Sequence, residues 1–317
     1  MLAARAGVGA GGISDLSIIV NELASNVVRH GGGGQLLVRQ LQHDGRPGIE
    51  VLCIDSGRGM KDLAGCFRDG FSTVGTMGTG LGAARRIAHA FDIFSAPGLG
   101  TVVVARIWAG GAPPAPAIQL GAVAAAVAGE RECGDAWALS ADGARTYLLL
   151  ADGLGHGVGA AEAARLAVRL FGQQRDRRPE QVLDALHRGL RSTRGAAVAL
   201  AEIDLAAAQV RFAGVGNIAA RIVTEDATRS LVSHNGIVGH QSARIHEFTY
   251  PFPPDATLIM HSDGLTSHWK HESYPGFVRR DPAVAAGLLY RDHARGRDDT
   301  SVVVFRPRTL DSRTGPL

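Results

Sequence analysis

Two hydrophobic rhythms alternate along this chain. Over residues 13–29 the side chains Leu16, Ile19, Val20, Leu23 and Val27 recur at helical spacing, with Ser14 or Asp15 placed to cap the start. Residues 35–42 and 49–54 read as strands on either side of the turn Asp44-Gly45-Arg46-Pro47-Gly48. A glycine-rich stretch at 75–82 then opens a helix over 83–91, and a strand over 100–108 closes the set. Residues 109–117, Ala-Gly-Gly-Ala-Pro-Pro-Ala-Pro-Ala, form a linker by composition, and at ~3 Å per extended residue they reach less than about 30 Å. Beyond it strands are expected over 120–128, 135–140, 147–151, 196–203, 210–213, 219–223, 244–249, 258–261 and 301–305, and helices over 159–173, 179–192 and 282–293. Strand-rich sequence broken by blocks of helix fits a sandwich of two sheets flanked by helices.

Four acidic positions fall where these strands begin or end. Leu148-Leu149-Leu150-Ala151 delivers Asp152 into the turn Gly153-Leu154-Gly155-His156-Gly157, and the apolar run 257–260 leads to Asp263-Gly264. Asp298-Asp299 precedes the strand that starts near Ser301, and Asp135 follows Gly134. One Asp-Gly after a strand is an ordinary turn. Four such positions in one strand-rich region instead suit a hard divalent cation, which takes oxygen ligands from a few carboxylates and fills the remaining positions with water.

In order, Gly-Asp, Asp-Gly-x-Gly-His-Gly, Ser-Asp-Gly and Asp-Asp-x-Ser resemble the metal-dependent protein phosphatase (PPM) superfamily, in its SpoIIE branch and nearest the RsbX type. The resemblance covers roughly residues 118–307 and implies an αββα fold. It further implies two Mn²⁺ or Mg²⁺ ions bridged by Asp152, with the Gly153 carbonyl on one, Asp263 and Asp298 on the other, and Asp135 acting through a water. The family's spacing to Ser301 favours Asp298 over Asp299. The implied reaction is in-line hydrolysis of phosphoserine or phosphothreonine with no covalent enzyme intermediate. His156 is the candidate general acid, its other reading being a hydrogen-bonded turn residue. His234, His240, His261 and His268 show no ligand spacing.

In the first hundred residues Glu22 and Asn26 lie four apart on one helix face, which alone describes only a wet side. They are followed by Asp55-Ser56-Gly57-Arg58-Gly59-Met60 and by Gly78-Thr79-Gly80-Leu81-Gly82, a glycine loop opening a helix and so a ready anion cradle. The ordered set resembles the GHKL ATP-binding fold, an α/β sandwich, and specifically the RsbT-like serine kinases of partner-switching systems. That resemblance makes Asn26 the Mg²⁺ ligand, Glu22 the general base on the acceptor hydroxyl, and Asp55 the acceptor for the adenine amino group. Gly57 and Gly59 would give the base room, Gly78, Gly80 and Gly82 would wrap the triphosphate, and residues 61–74 would form a short lid. Only residues 1–12, rich in Gly and Ala, precede the helix that carries Glu22, where the family has a strand or hairpin. No phosphoacceptor-histidine helix pair precedes this part, and its glycine loop lacks the Lys-Ser/Thr of a P-loop.

Length agrees with two domains, 317 residues being too many for one ordinary core. The expected class is α+β, divided as 1–108, linker 109–117, 118–307 and a tail 308–317. A formal charge of +3 rests on scattered arginines, with Lys61 and Lys270 the only lysines, so no nucleic-acid surface is expected; the run Arg175 to Arg178 reads as a solvated connection. No apolar run is long enough to span a bilayer and no signal peptide is visible, so the protein is expected in the cytoplasm and off the membrane. Cys53, Cys66 and Cys133, odd in number and without ligand spacing, exclude a disulfide framework or zinc site and are expected to be buried. The expected function is a bifunctional regulator, ATP-dependent serine/threonine kinase and Mn²⁺- or Mg²⁺-dependent phosphatase, acting on a STAS-type partner. The alternative is a phosphatase governed by an ATP-binding, partner-sequestering domain that transfers no phosphate.

Overall fold

The computed structural model describes residues 7–67, 80–142, 145–174, 177–240 and 245–308. Contacts divide the chain into two compact units: residues 1–117, 279–291 and 310–317 in the first, and residues 118–278 and 292–309 in the second. The first differs from a contiguous N-terminal domain by the segment 279–291.

In the first unit, helix α1 (Ala10–His30) is followed by strands β1 (Gly34–His43) and β2 (Arg46–Asp55). Then come the short α2 (Leu63–Cys66), α3 (Gly80–Ile87), β3 (Ala90–Ser95) and β4 (Thr101–Trp108). The strands form one antiparallel sheet in the order β1-β2-β4-β3. Asp44 and Gly45 take φ of 47° and 75°, the left-handed pair a two-residue hairpin needs, and this sets the β1–β2 register at His43 opposite Arg46. Ile19, Leu23 and Val27 of α1 and Leu81 and Ala84 of α3 pack on Val51, Cys53, Val103 and Ala105 of the central strands. The alternate residues of those strands, Leu52, Ile54, Val102 and Val104, are buried as well, so β2 and β4 are covered on both faces.

Two expectations fail here for packing reasons. Helix α1 starts at Ala10 with Gly9 as its N-cap and no side-chain cap, so neither Ser14 nor Asp15 begins it; buried Val8 fixes the entry a turn earlier. The helix expected over 83–91 ends at Ile87, and Phe91 lies in β3, where pairing with β4 and burial of Ile93 and Phe94 override local helix preference. The lid expected at 61–74 is described only through Phe67 and includes α2.

The second unit holds two five-stranded antiparallel sheets. One has the order β11 (Thr228–Leu231), β10 (Ala219–Val223), β13 (Thr257–His261), β14 (Thr300–Pro307), β5 (Ile118–Ala125). The other runs β12 (Phe248–Pro251), β9 (Gln209–Val215), β8 (Ala196–Asp204), β7 (Arg145–Gly153), β6 (Asp135–Asp142). Strand β7 serves two cores by simple alternation. Leu148 and Leu150 join Met260, Val303 and Phe305 between the sheets, while Leu149 and Ala151 pack under α4 (Val158–Phe171) and α5 (Pro179–Gly189) with Ala164, Ala167, Leu183 and Leu186. Each fully buried leucine contributes roughly 1.5–3 kcal/mol, which makes β7 a rigid rod. Strand β11 was not foreseen because Thr228, Arg229 and Ser230 are exposed and carry no apolar alternation.

The remaining helix, α6 (Pro282–His293), has the expected bounds, and its residues through Arg291 belong to the first unit. Every residue from Pro282 to Leu289 is buried, the signature of a helix without a wet face. No helix among the described residues is long and apolar enough to cross a membrane. Cys53 is buried as expected, while Cys66 and Cys133 are half-buried, and all three are free thiols.

Candidate functional site

The register of the second sheet sets Asp135 at the start of β6 directly opposite Asp152 near the end of β7. Like charges opposed across a strand pair destabilise it unless something offsets them. Two further carboxylates lie around the same cleft: Asp263 just past β13, and Asp298 before β14. Asp152, Asp263 and Asp298 line a cleft of about 330 Å³ together with Gly155, Asn217 and Asn235. Asp135 sits behind it, 6% exposed.

The hydrogen bonds sort these acids into roles. Asp135 Oδ2 accepts from Ser262 Oγ at 2.6 Å, while its Oδ1 is buried with no partner among the described residues. Ser262 is itself locked to β14, its Oγ accepting from Ser301 N at 2.9 Å. Asp299 accepts the backbone N–H groups of Val127 and Gly134, each at 2.8 Å, and so ties two loops together; Asp298 is the member of the pair that faces the cleft. Asn217 Nδ2 donates to Asp263 Oδ2 at 2.6 Å. Gly153 has no room for a side chain, since a Cβ there would lie 2.6 Å from the Ala160 carbonyl carbon.

Burial, then the crowd of Asp135, Asp263, Asp298 and Asp299, pushes the Asp152 carboxyl up to about 9. Burial likewise raises Asp135 to about 7, with Ser262 and Ser301 opposing the rise, and raises Asp263, with Asp298 adding to it. Among the described residues no three acidic, imidazole or thiol side chains close on a single point. Carboxylates around a cleft and an orphaned buried carboxylate oxygen nonetheless fit divalent cations that keep much of their water.

His156 is exposed, with its Nδ1 2.8 Å from Glu130 Oε1, and it does not line the cleft. His261 is buried and lowered to about 4 by that burial, so it is neutral; its Nδ1 donates to the Ser262 carbonyl and its Nε2 accepts from Trp269 Nε1. Its setting is structural.

In the first unit Glu22 and Asn26 share the half-buried face of α1, and among the described residues neither side chain has a hydrogen-bond partner. Gly80, the first residue of α3, packs against the Glu22 carboxylate so closely that a Cβ would strike Oε2. Gly82 is buried in α3, and Gly78 lies outside the described residues. Asp55 ends β2, its Oδ1 accepting the Gly57 N–H at 2.9 Å, and burial raises its carboxyl from the ordinary value. Gly57 is pressed against the backbone of His30 and Gly31, and Gly59 takes φ 65° against the Ala96 carbonyl, so both glycines let the chain approach itself. Sequence reasoning missed Asn217, Asn235, Ser262 and Glu130; the turn pairs Gly216-Asn217 and Asn235-Gly236 were the available signal for two of them.

A carboxylate-rimmed cleft at the ends of a two-sheet sandwich, in a chain that also holds a separate α/β unit, fits a domain of PP2C-type phosphatase fold joined to a histidine kinase-like ATPase domain. The Stage II sporulation protein E family matches residues 142–308 and the histidine kinase-like ATPase domain family residues 1–107. The chain belongs to the SpoIIE family.

The serine/threonine-protein kinase RsbT of Bacillus subtilis (strain 168) is 33% identical over 93 residues, covering 29% of this chain and 70% of that protein. Among solved structures, a chain of the bacterial stressosome is similar at TM-score 0.55 and 26% identity over 60% of this chain and 99% of that one. RsbX in complex with magnesium is similar at TM-score 0.54 and 18% identity over 62% and 98%, which shows the fold. The chain therefore joins a kinase-like domain related to RsbT to a SpoIIE-family domain of phosphatase fold.

Proposed function

We propose that this protein sets the phosphorylation state of a small cytoplasmic regulator of STAS type, its first unit adding phosphate to a serine or threonine from ATP and its second removing it. The observation that carries the reading is the presence in one chain of a relative of a serine/threonine kinase and a carboxylate cleft of PP2C-type fold.

In the second unit Asp152, the Gly153 carbonyl, Asp263 and Asp298 would hold two Mn²⁺ or Mg²⁺ ions, with Asp135 reaching them through water from its unpartnered Oδ1. Such ions, when bound, activate water for in-line attack and neutralise the phosphoryl group. The chain's own contribution is placement. Asn217 orients Asp263, Ser262 orients Asp135, and Asp299 fixes the loops around the entrance. His156 lies outside the cleft lining with its Nδ1 held by Glu130, which suits the hydrogen-bonded turn residue better than the general acid.

In the first unit Asn26 would hold Mg²⁺ against the phosphates, with Gly78, Gly80 and Gly82 around them. Asp55 would accept from the adenine amino group. Glu22, unpartnered beside the start of α3, would take the proton of the attacking hydroxyl. The test is direct: incubate the protein with Mg²⁺-ATP and a candidate STAS protein, then add Mn²⁺ and remove ATP. Phosphate should appear on the partner and then leave it. A partner that binds without ever gaining phosphate would replace the kinase reading with sequestration.

A further inference from the structure

Helix α6 lies within the span that matches the SpoIIE family, yet it forms a wall of the nucleotide unit. Asp281, just before its first residue, takes a two-pronged bond from Arg106 on β4, at 2.5 and 2.7 Å, and donates its own N–H to Asp92 of β3 at 2.6 Å. Arg280 Nη1 donates to the Ile93 carbonyl at 3.0 Å. In mid-helix Gly287 lets α6 lie flat on β4, since a Cβ there would come within 2.8 Å of Val102. At its far end Tyr290 Oη donates to Gln35 Oε1 at 3.1 Å, and Arg291 Nη1 donates to the Asp55 carbonyl at 3.3 Å. Both ends of α6 are thus anchored, and the last anchor falls on the one residue whose side chain the nucleotide base would meet.

Asp55 is the last residue of β2 in both of its ladders, opposite Gly34 of β1 and Thr101 of β4, and the chain then turns through Ser56 and Gly57. Gly100, at φ 63°, leaves open the space beside the Asp55 carbonyl, and Arg291 Nη1 stands 3.1 Å from where a Gly100 Cβ would be. The turn helps to aim the carboxylate, because its Gly57 N–H grips Oδ1 while the Thr101 N–H across the ladder also bonds the group.

We propose that Arg291 is a positioning residue for the nucleotide base: by holding the Asp55 carbonyl it fixes the turn that aims the Asp55 carboxylate, so the adenine contact is built from two distant stretches of chain. The proposal rests on the reading of Asp55 as the adenine acceptor. Its consequence is that the nucleotide unit needs a segment encoded inside the phosphatase span.

The test uses the full chain and calorimetric titration with Mg²⁺-ATP, Mg²⁺-GTP and Mg²⁺-tripolyphosphate, which lacks a base. Arg291→Ala should weaken ATP about tenfold, the order of one hydrogen bond to a charged group. It should lower the preference for ATP over GTP by the same factor and leave tripolyphosphate affinity unchanged. Arg291→Lys should recover part of the loss, and Arg291→Gln carries the same comparison if the alanine variant does not fold. Equal losses for ATP and tripolyphosphate would overturn the proposal, making Arg291 a general packing residue, and so would no loss at all. If Asp55→Asn leaves ATP affinity unchanged, the adenine reading fails and the proposal with it; if Asp55→Asn weakens ATP while Arg291→Ala does not, only the proposal fails.

Discussion

The two candidate sites are built by opposite means. In the second unit every carboxylate of the cleft stands at the end of a strand, and those strands are clamped in a sandwich with apolar packing between the sheets and under α4 and α5. In the first unit Glu22 and Asn26 come from one helix face, Gly80 from the start of another helix, and Asp55 from a strand end braced by Arg291, while 175 residues of chain separate Arg106 from its partner Asp281. A site at strand ends inherits its geometry from a sheet, so losing one ligand removes chemistry and little else. A site assembled from distant segments makes binding, chemistry and folding depend on one another.

The largest expected effect is in the second unit. Asp152→Asn should lower Mn²⁺-dependent phosphoprotein hydrolysis by roughly 10³-fold or more, the order lost with a principal electrostatic partner of a transition state. The circular dichroism spectrum should stay the same, because removing one of several crowded carboxylates relieves repulsion. Near-normal turnover at saturating Mn²⁺ would displace Asp152 from the site.

In the first unit Glu22→Ala should retain ATP binding and lose phosphate transfer by about 10²–10⁴-fold, the usual contribution of a general base, whereas Asp55→Asn should weaken binding itself. Titration and transfer assays on both variants separate the roles; equal loss of binding in both would merge them.

Arg106→Ala should cost about 3 kcal/mol in denaturant unfolding, the lower end for breaking a buried ion pair, because Arg39 still faces Glu50 at 2.5 Å and the Ala283 N–H still reaches Asp281 Oδ1 at 2.8 Å. An unchanged midpoint would mean that α6 does not need this anchor.

A further expected effect is a pH slope. Asp152 and Asp135 have folded-state values raised to about 9 and about 7, so the fold prefers their neutral forms. In chelator that contribution is present below the ordinary carboxylate range near about 4 and is lost as pH rises through the raised values. Melting temperature in EDTA should therefore fall from pH 5 to pH 9, and the increment from added Mn²⁺ should grow over the same window. A melting temperature in EDTA that rose across it would contradict the crowding of these acids.

How much could be read beforehand follows from the same contrast. The triple-leucine run before Asp152 and the Asp-Gly pairs at the end of β7 and just past β13 announce a strand-end site, since alternation and turn chemistry are local. Ser262, buried beside Asp263, gave no sign of gripping Asp135 across 127 positions, because its partner is fixed only by how β6 and β13 stack. The bounds of α6 were legible from its apolar run, but its allegiance to the first unit was not: an all-round buried helix names no particular neighbour. Likewise Phe91 was read into a helix because strand pairing with β4 is a long-range choice.

The central claim is that both units act on one hydroxyl. Asp152→Asn protein with Mg²⁺-ATP should phosphorylate the STAS-type partner at a site that mass spectrometry can map, without removing it. That purified phosphoprotein, given to Glu22→Ala protein with Mn²⁺, should lose phosphate from the same residue, and the two active sites in one chain, locally concentrated by the short linker, would then form an opposed pair. If the Glu22→Ala protein leaves that residue phosphorylated while hydrolysing a different phosphoprotein, the halves serve separate partners and the account is contradicted.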